Sequence, residues 1–381
     1  MEDIIENSFG VNLILMRILN LYPPENPTLL YKLKAYCVFF VLLPPVPILG
    51  ALYFLFEENL TTEELNENAF AVAQLGCQVT KFLPFVVNGT RIKNCILYFK
   101  SSEFKISVDK QQKIIDDCCW ICRRNSTVFL VSITGGVIFF ALKPLFSDKQ
   151  QFPTDIWLPF EPKTDLRVFV VVYLYVFSGV AYAAFSCAAI DPLIAGLAGL
   201  AIGQLGVLKD NLQHMNGYTE NSKTERKKFI REIIKKSVDQ HNAILRFIFE
   251  YEACFSMSVF SQFMGSILVI CFCCLQLSKL DPLSFNFIAM TTFLCLVLVQ
   301  IYLYCYYGTM LFEESNSLTN AIYMGNWYEC DIESKKSLTV LMERSKRPVT
   351  IKAGNLLEIS IATFTTILRR SYSLLAVLRN F

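Results

Sequence analysis

The chain contains 381 residues, of which 54% are hydrophobic and only 18% are charged. Soluble domains usually carry about 25% charged residues, so this composition excludes an ordinary soluble protein and predicts an integral membrane protein with several spans. The formal net charge of +2 indicates no particular partner. Residues 1–10 are acidic and lack the basic flank and apolar run of a cleavable signal peptide, so none is predicted.

Seven apolar runs have the length that a hydrocarbon core of about 30 Å requires. In chain order they are residues 37–56, 70–89, 127–146, 168–190, 254–277, 285–312 and 355–378. The fourth run stays apolar as far as Leu208, although Asp191 and Pro192 interrupt it. It therefore indicates either two spans or one long, kinked helix that continues into the cytosol.

Basic residues divide the connections between these runs into two groups. Three precede the first run, and eight, nine and six lie in residues 91–124, 209–246 and 335–352, whereas the alternate connections hold six altogether. The positive-inside rule places the basic side in the cytosol. We therefore predict an all-α polytopic membrane protein with seven transmembrane helices, a cytosolic N-terminus and an extracellular C-terminus. An eighth span after Pro192 would break the alternation, so one long fourth helix is predicted.

The first extracellular loop is acidic and contains the sequon Asn59-Leu60-Thr61. Because this loop is predicted to face the lumen during synthesis, we predict N-glycosylation of Asn59. Asn88 and Asn125 lie near the predicted inner face and are not expected to be modified.

Two other classes of membrane protein fit the pattern less well. A G-protein-coupled receptor also has seven helices, but its N-terminus is external. This chain further lacks an Asp-Arg-Tyr triplet after its third span and an Asn-Pro-x-x-Tyr element in its seventh. A secondary transporter is expected to show internal repeats, and none is visible.

The segment between the sixth and seventh runs, residues 313–354, places apolar residues at helical spacing among many charged ones. It is too polar to span a bilayer and too apolar to be free in solution, so we predict cytosolic helices that pack against neighbouring subunits. The alternative is an amphipathic segment lying on the inner leaflet. Pro348 is predicted to end the second of these helices, and Ala353-Gly354 to let the chain turn into the membrane.

The last apolar run carries Glu358, Arg369 and Arg370. Ionisable groups at membrane depth usually face protein or a water-filled path, so we predict a pore-lining helix. The alternative is a helix that turns its polar side into its own bundle. One stripe at spacings of three and four residues is predicted to face the pore, and it consists of Leu368, Ser371, Tyr372, Leu375, Leu378 and Arg379.

Signals for catalysis, metal binding or a cofactor are weak. Cys118, Cys119 and Cys122 have a metal-like spacing, but neither His214 nor His241 completes a nearby set. The fourteen cysteines lie mostly in spans or cytosolic segments, which argues against a disulfide framework. No phosphate loop, nucleophile elbow or pair of catalytic acids is visible, so we predict a protein that is not an enzyme and has no metal or cofactor.

The C-terminal third resembles the signature of insect odorant receptors. The similar pieces are residues 321–323 with Trp327, 342–348, 353–354, 363–364 and 371–373. Weaker similarities are residues 21–23 before the first span and Trp157 ahead of Pro159-Phe160. The resemblance implies a subunit of a ligand-gated, non-selective cation channel, with a pore built from the seventh helices of four subunits.

Within this superfamily the chain is most similar to a ligand-tuning odorant receptor subunit. Gustatory receptors, the alternative, follow the Thr-Tyr pair of the last helix with Gln-Phe, which is missing after Ser371-Tyr372. The shared co-receptor carries a long insertion between spans four and five, whereas in this chain the connection between these spans, residues 209–251, is short. The resemblance implies a heterotetramer with the co-receptor, in the plasma membrane of olfactory sensory neuron dendrites. It also places the hydrophobic constriction at Leu375, one turn before Arg379, where an apolar residue is expected.

Three regions follow from this interpretation. Residues 1–312 form a six-helix ligand-binding bundle with long cytosolic helix extensions, residues 313–354 form the cytosolic anchor helices, and residues 355–381 contain the pore helix. The residues predicted to make subunit contacts in the anchor are Tyr323, Trp327, Leu338, Leu341, Met342 and Pro348.

Odorants are small, volatile and mostly apolar, so their site is predicted in an aromatic cavity in the outer half of the bundle. Aromatic, small and weakly polar residues at helical spacing on spans two, three, four and six are the candidates, although each could instead serve helix packing. They are Phe70, Ala73, Gln74, Cys77, Ser132, Gly135, Phe139, Tyr175, Ser178, Gly179, Tyr182, Met290, Phe293 and Leu294.

Overall fold

The computed structural model describes residues 3–57, 62–106, 108–142, 152–160, 162, 165–215, 223–282 and 284–378. Asn59 and Arg379 lie outside these ranges. The predicted glycosylation site and the outermost predicted pore position therefore stay predictions.

The described chain is almost entirely helical, with one short hairpin near its end. In chain order the helices and strands are α1 (Ile4–Ile18), α2 (Leu29–Leu42), α3 (Pro45–Phe56), α4 (Thr62–Val87), α5 (Gly89–Ile96), α6 (Asp109–Leu142), α7 (Leu166–Gln213), α8 (Lys223–Leu277), α9 (Phe285–Asn316), α10 (Leu318–Met324), α11 (Ile332–Ser345), β1 (Lys352–Ala353), β2 (Leu357–Glu358) and α12 (Ile361–Leu378).

Six helical stretches are long and apolar enough, by length and composition, to cross a membrane. They coincide with the first six predicted spans over most of each span, so the chain is a multi-pass membrane protein. Among the described residues, α12 does not join this set, because its 18 residues include Arg369, Arg370 and six hydroxyl side chains. A seventh span and the orientation of the two termini therefore remain predictions.

The first span is two helices, α2 and α3, separated at Leu43-Pro44. Pro45 has no N–H, so it cannot donate to the carbonyl of Val41 four residues earlier. The hydroxyl of Tyr175 on α7 donates to that carbonyl at 2.7 Å instead. A neighbouring helix thus satisfies the backbone group that the proline leaves free, as the interior of a bilayer requires.

The fourth span is one continuous helix of 48 residues, α7, which runs through Pro192. The prediction of one long helix is confirmed, and at 1.5 Å per residue it measures about 72 Å, well beyond one bilayer core. Every residue from Ser186 to Ala201 is buried, so the middle of α7 lies at the centre of the bundle. The Asn12 side chain of α1 donates to the Ala189 carbonyl at 2.8 Å, beside the proline.

The last helix begins later than predicted, at Ile361, because residues 352–358 form the β1–β2 hairpin. Gly354 and Asn355 turn the chain with φ values of +59° and +57°, a region that glycine enters without strain. The Gly354 N–H donates to the Ser256 carbonyl of α8 at 3.1 Å. The Ile361 N–H donates to Thr309 of α9 at 2.9 Å, so both long helices hold the start of α12.

The anchor helices α10 and α11 pack against the C-terminal part of α7 and the N-terminal part of α8. Leu338 and Leu341 of α11 are buried within the chain's own core. Ahead of α11, the Arg231 guanidinium of α8 hydrogen-bonds the Asp331 carboxylate and lowers its pKa to about 2. The described residues of α11 end at Ser345, ahead of Pro348, in agreement with the predicted helix end.

Candidate ligand-binding cavity

A cavity of about 1020 Å³ lies between α4, α6, α7 and α9. Residues 152–155, Tyr53 of α3 and Leu280 before α9 complete its wall. Most of the lining side chains are aliphatic or aromatic, and the size and character are those of a site for small organic ligands.

Seven of the predicted ligand residues line this cavity, which places them together but does not test ligand contact. They are Phe70, Gln74, Ser132, Gly135, Phe139, Met290 and Phe293. Phe70 and Phe293 meet edge to face with ring centroids 5.5 Å apart, which joins α4 to α9. A Cβ added at Gly135 would meet no atom within 4 Å, so this glycine leaves open space in the wall.

The seven other predicted residues do not line this cavity, and their role in ligand binding stays a prediction. They are Ala73, Cys77, Tyr175, Ser178, Gly179, Tyr182 and Leu294. On α7 the predicted stripe faces the broken first span: Tyr175 binds the Val41 carbonyl, and a Cβ on Gly179 would lie 2.5 Å from the Leu42 oxygen. On α4, Cys77 faces Gly265 of α8, where an added Cβ would lie 2.0 Å from its sulfur.

The α7 residues that do line the cavity are Phe177, Val180, Ala184 and Cys187. This stripe has the same spacing of three and four residues as the predicted one. Since α7 is apolar on all sides, periodicity could not choose between the two stripes.

A buried ion pair joins the helices next to the cavity. Lys81 of α4 and Asp191 of α7 are 0% and 2% exposed, and Lys81 Nζ lies 2.5 Å from Asp191 Oδ1. The Tyr304 hydroxyl of α9 donates to the same carboxylate oxygen at 2.7 Å, and Lys81 donates to Gln262 Oε1 of α8 at 3.0 Å. Four helices therefore converge on one charge pair, whose desolvation these hydrogen bonds help to offset.

This polar cluster reaches the cavity through three lining residues, Gln78, Cys187 and Gln300. Gln300 donates its amide hydrogen to Asp191, and Gln78 donates to the Cys187 sulfur at 3.4 Å. In the sequence, Lys81 falls within the second predicted run and Asp191 directly follows the fourth, and the sequence analysis did not connect the two. The signal that could have done so is that a buried lysine at membrane depth needs an acidic partner.

The predicted pore stripe on α12 is divided between two faces of the helix. Ser371 is only 2% exposed and Leu368 packs on the chain's own core, whereas Tyr372 is 72% exposed. Leu375 and Leu378 are half-buried. The fully exposed face consists instead of Ala362, Thr365, Thr366, Arg369, Arg370, Ser373, Ala376 and Val377, with Ile361 and Tyr372 at its edge.

The predicted anchor residues also separate by exposure. Leu338 and Leu341 are buried in the same chain, and Trp327 and Met342 are half-buried against its core. Pro348 is half-buried as well, whereas Tyr323 is 68% exposed. The exposed apolar surface of this region, here called the anchor patch, consists of Tyr323, Met324, Tyr328, Ile332 and Val340.

Long apolar helices around a largely apolar internal cavity define a multi-pass membrane protein with a place for a small molecule. Residues 61–372 match the family described as 7tm Odorant receptor, and the chain belongs to this family. Within the described part of the chain, no group of three or more His, Cys, Asp or Glu side chains could hold a metal ion. Members of this family are receptors and not enzymes.

Individual relatives agree with this assignment. Odorant receptor Or1 of Anopheles gambiae is 24% identical over 409 residues, which cover 98% of this chain and 95% of the relative. Odorant receptor 94a of Drosophila melanogaster is 39% identical over 124 residues, 32% of each chain. The insect olfactory receptor OR5 from Machilis hrabei has the same fold, with a TM-score of 0.84 at 14% identity over 97% of this chain and 96% of that one. Its structure in complex with eugenol has a TM-score of 0.83 and covers 97% of both chains.

Proposed function

We propose that this chain is a ligand-tuning odorant receptor subunit. It binds small, volatile, largely apolar odorants in the cavity between α4, α6, α7 and α9, and it opens a non-selective cation channel formed with the odorant co-receptor. The observation that carries the proposal is the cavity itself, whose volume of about 1020 Å³ and apolar lining suit such ligands. A structure of the same fold binds eugenol, which supports a small organic ligand here as well.

Contacts between the cavity and α12 support a gating role. α9 supplies Met290 and Phe293 to the cavity wall. Further along the same helix, Tyr302 meets Phe364 of α12 edge to face with ring centroids 5.9 Å apart. Closer to the cytosol, Gly308 touches the chain just before α12, because a Cβ there would lie 2.1 Å from the Ile359 oxygen. A ligand that moves α9 therefore acts directly on α12.

The exposed face of α12 is the side available to line a pore. It combines threonine and serine hydroxyls with Arg369 and Arg370, a composition that suits water better than lipid. Among the described residues neither arginine forms an ion pair, with Glu358 or with any other acidic side chain, so both stay available on the exposed face. In this proposal the less exposed face, with Leu368, Ser371 and Leu375, packs α12 against its own subunit.

The anchor patch supports assembly with other subunits. Its members Ile332 and Val340 are 75% and 70% exposed, although both are large and apolar. In the proposed heterotetramer, co-receptor subunits cover this surface. The expected location is the plasma membrane of olfactory sensory neuron dendrites.

A ligand panel tests the proposal directly. Cells that express this chain with the co-receptor, the co-receptor alone, or this chain alone are exposed to volatile compounds while whole-cell current is recorded. We expect cation currents that require both subunits and whose ligand profile depends on this chain. Robust odorant currents from this chain alone would contradict the heteromeric channel, and no current from any volatile at full surface expression would contradict the odorant receptor function.

A further inference from the structure

We propose that Gln78 recognises a hydroxyl group of the ligand. On the basis of the function proposed above, the cavity then selects small apolar molecules that carry one O–H donor, such as aliphatic alcohols and phenols. Ethers, ketones and hydrocarbons of the same shape are bound less well, because they have no hydrogen to donate to this side chain.

The first support is the unpaired state of the Gln78 amide oxygen. Gln78 lines the cavity and is 5% exposed. Its Nε2 donates to the Cys187 sulfur at 3.4 Å, but its Oε1 is buried and has no hydrogen-bond partner among the residues that the structure describes. A buried acceptor without a donor is unfavourable, so a ligand hydroxyl that meets this oxygen when the Gln78 side chain turns toward the cavity gains more than one placed against a satisfied group.

The second support is that the neighbouring amide and ammonium groups donate hydrogen bonds to acceptors other than Gln78. Gln300 donates to Asp191, and Gln262 donates to Gln300 Oε1 at 3.1 Å. The Lys81 ammonium lies against Asp191 and Gln262. Among the described residues none of these neighbouring groups donates to Gln78 Oε1, so a donor for that oxygen has to come from the ligand.

Other polar groups in the wall are less suited to this role. Ser132 donates its hydroxyl to the Val128 carbonyl of its own helix at 2.8 Å. Thr154 has a buried Oγ1 without a partner in the described chain, but it belongs to the segment held by Asn68, which accepts from the Asp155 N–H at 2.9 Å. Gln78 lies ten residues beyond Asn68 on α4, about 15 Å deeper at 1.5 Å per residue. The two groups are therefore at opposite ends of the cavity and can be tested separately.

The apolar wall sets where the rest of the ligand lies. Phe70 and Phe293 are two turns or more from Gln78, toward the outer end of the cavity, and Gly135 opens space on α6. A ligand with its hydroxyl at Gln78 would extend its hydrocarbon part along these residues. The inferred ligand is thus a small amphiphile whose polar end points toward the buried ion pair.

The experiment compares matched compounds on the full chain co-expressed with the co-receptor. Series of 1-alkanols, methyl ethers, ketones and alkanes of equal length are applied, and half-maximal concentrations are read from currents. We expect alcohols to be about 2- to 12-fold more potent than their ethers and ketones, the range of a single net hydrogen bond of 0.5–1.5 kcal/mol. In Gln78→Met, which keeps the side-chain volume, this preference should vanish while the responses to ethers and alkanes persist.

The control variant is Thr154→Val, which should leave the alcohol preference intact. Equal potency of alcohols and ethers on the wild-type chain would overturn the inference without any variant. So would a preference for ketones, an alcohol preference that survives in Gln78→Met, or one that is lost in Thr154→Val instead. If no volatile activates the wild-type channel, the proposed function itself fails, and the two failures are therefore distinguishable.

Discussion

Gly135 is the cavity residue at which added volume has the most direct consequence. We expect Gly135→Leu to project its side chain into the cavity and to weaken responses to the larger ligands. Steric overlap in a packed site costs about 1–3 kcal/mol, which corresponds to a shift of about 5- to 150-fold in half-maximal concentration. Dose–response currents measure the shift, and ion selectivity should not change.

Gly76→Leu is the matched control for this substitution. Gly76 lies on α4, an added Cβ there would also meet nothing within 4 Å, and it does not line the cavity. The ligand profile of Gly76→Leu should equal that of the wild type. An unchanged ligand profile in Gly135→Leu at equal surface expression would remove α6 from the ligand site.

Asp191 determines whether the charge of Lys81 is tolerable in the middle of the bundle. We expect Asp191→Asn to destabilise the fold by about 3–5 kcal/mol, because it leaves a buried ammonium without its counter-charge. Thermal unfolding of the purified protein in detergent would show this, and the double variant with Lys81→Met should recover much of the loss.

The exposed pair Arg91–Glu250 provides the comparison. Its atoms lie 3.0 Å apart, but the two side chains are 52% and 38% exposed. Glu250→Gln should lower the unfolding temperature far less than Asp191→Asn does, because solvent screens the exposed pair. If both carboxylate substitutions have equal effects, the buried pair does not hold the bundle together.

Among the larger elements, the β1–β2 hairpin determines where α12 begins. Gly354→Val places a β-branched side chain at φ +59°, and its Cβ would lie 2.7 Å from the Phe260 ring. We expect a loss of about 1–3 kcal/mol and reduced surface expression. Gly10→Ala on α1, where an added Cβ meets nothing within 4 Å, should be neutral or slightly stabilising. Normal surface expression and stability of Gly354→Val would mean that the hairpin does not constrain α12.

The two faces of α12 differ in what they predict for ion conduction. If the exposed face lines the pore, a positive ring position there repels cations, so Arg369→Gln should increase cation current at unchanged half-maximal odorant concentration. Leu375→Ala, on the half-buried face, should affect conduction less. Single-channel conductance and reversal potential measure both. An effect confined to Leu375→Ala would instead support the constriction that the sequence resemblance implies.

For the assembled channel, the anchor patch is the surface to test. We expect Ile332→Ser combined with Val340→Ser to reduce co-purification with the co-receptor, since both side chains are exposed in the single chain. The matched control is Ile18→Ser on α1, an apolar residue that is 68% exposed outside the patch. Co-purification that is lost equally in both variants, or in neither, would exclude the patch as the subunit contact.

Composition, the spacing of apolar runs and the distribution of basic residues determined much of this protein by themselves. They predict a multi-pass helical membrane protein, the order of its first six spans and the continuity of α7. These properties are local or additive along the chain, because a bilayer selects segments by length and hydrophobicity. The short matching segments in the C-terminal third were sufficient to predict the family, and the match to the family model confirms this prediction.

Only the tertiary structure decided which faces of the helices meet. α7 is apolar on every side, so its sequence allows either the stripe with Tyr175 or the stripe with Phe177 to face the cavity. The proline break in the first span decides between them, because the Val41 carbonyl that it leaves free accepts a hydrogen bond from Tyr175. Lys81 and Asp191 are 110 positions apart, and no local pattern relates them. Face selection depends on contacts between distant segments, whereas periodicity reports only that a helix has faces.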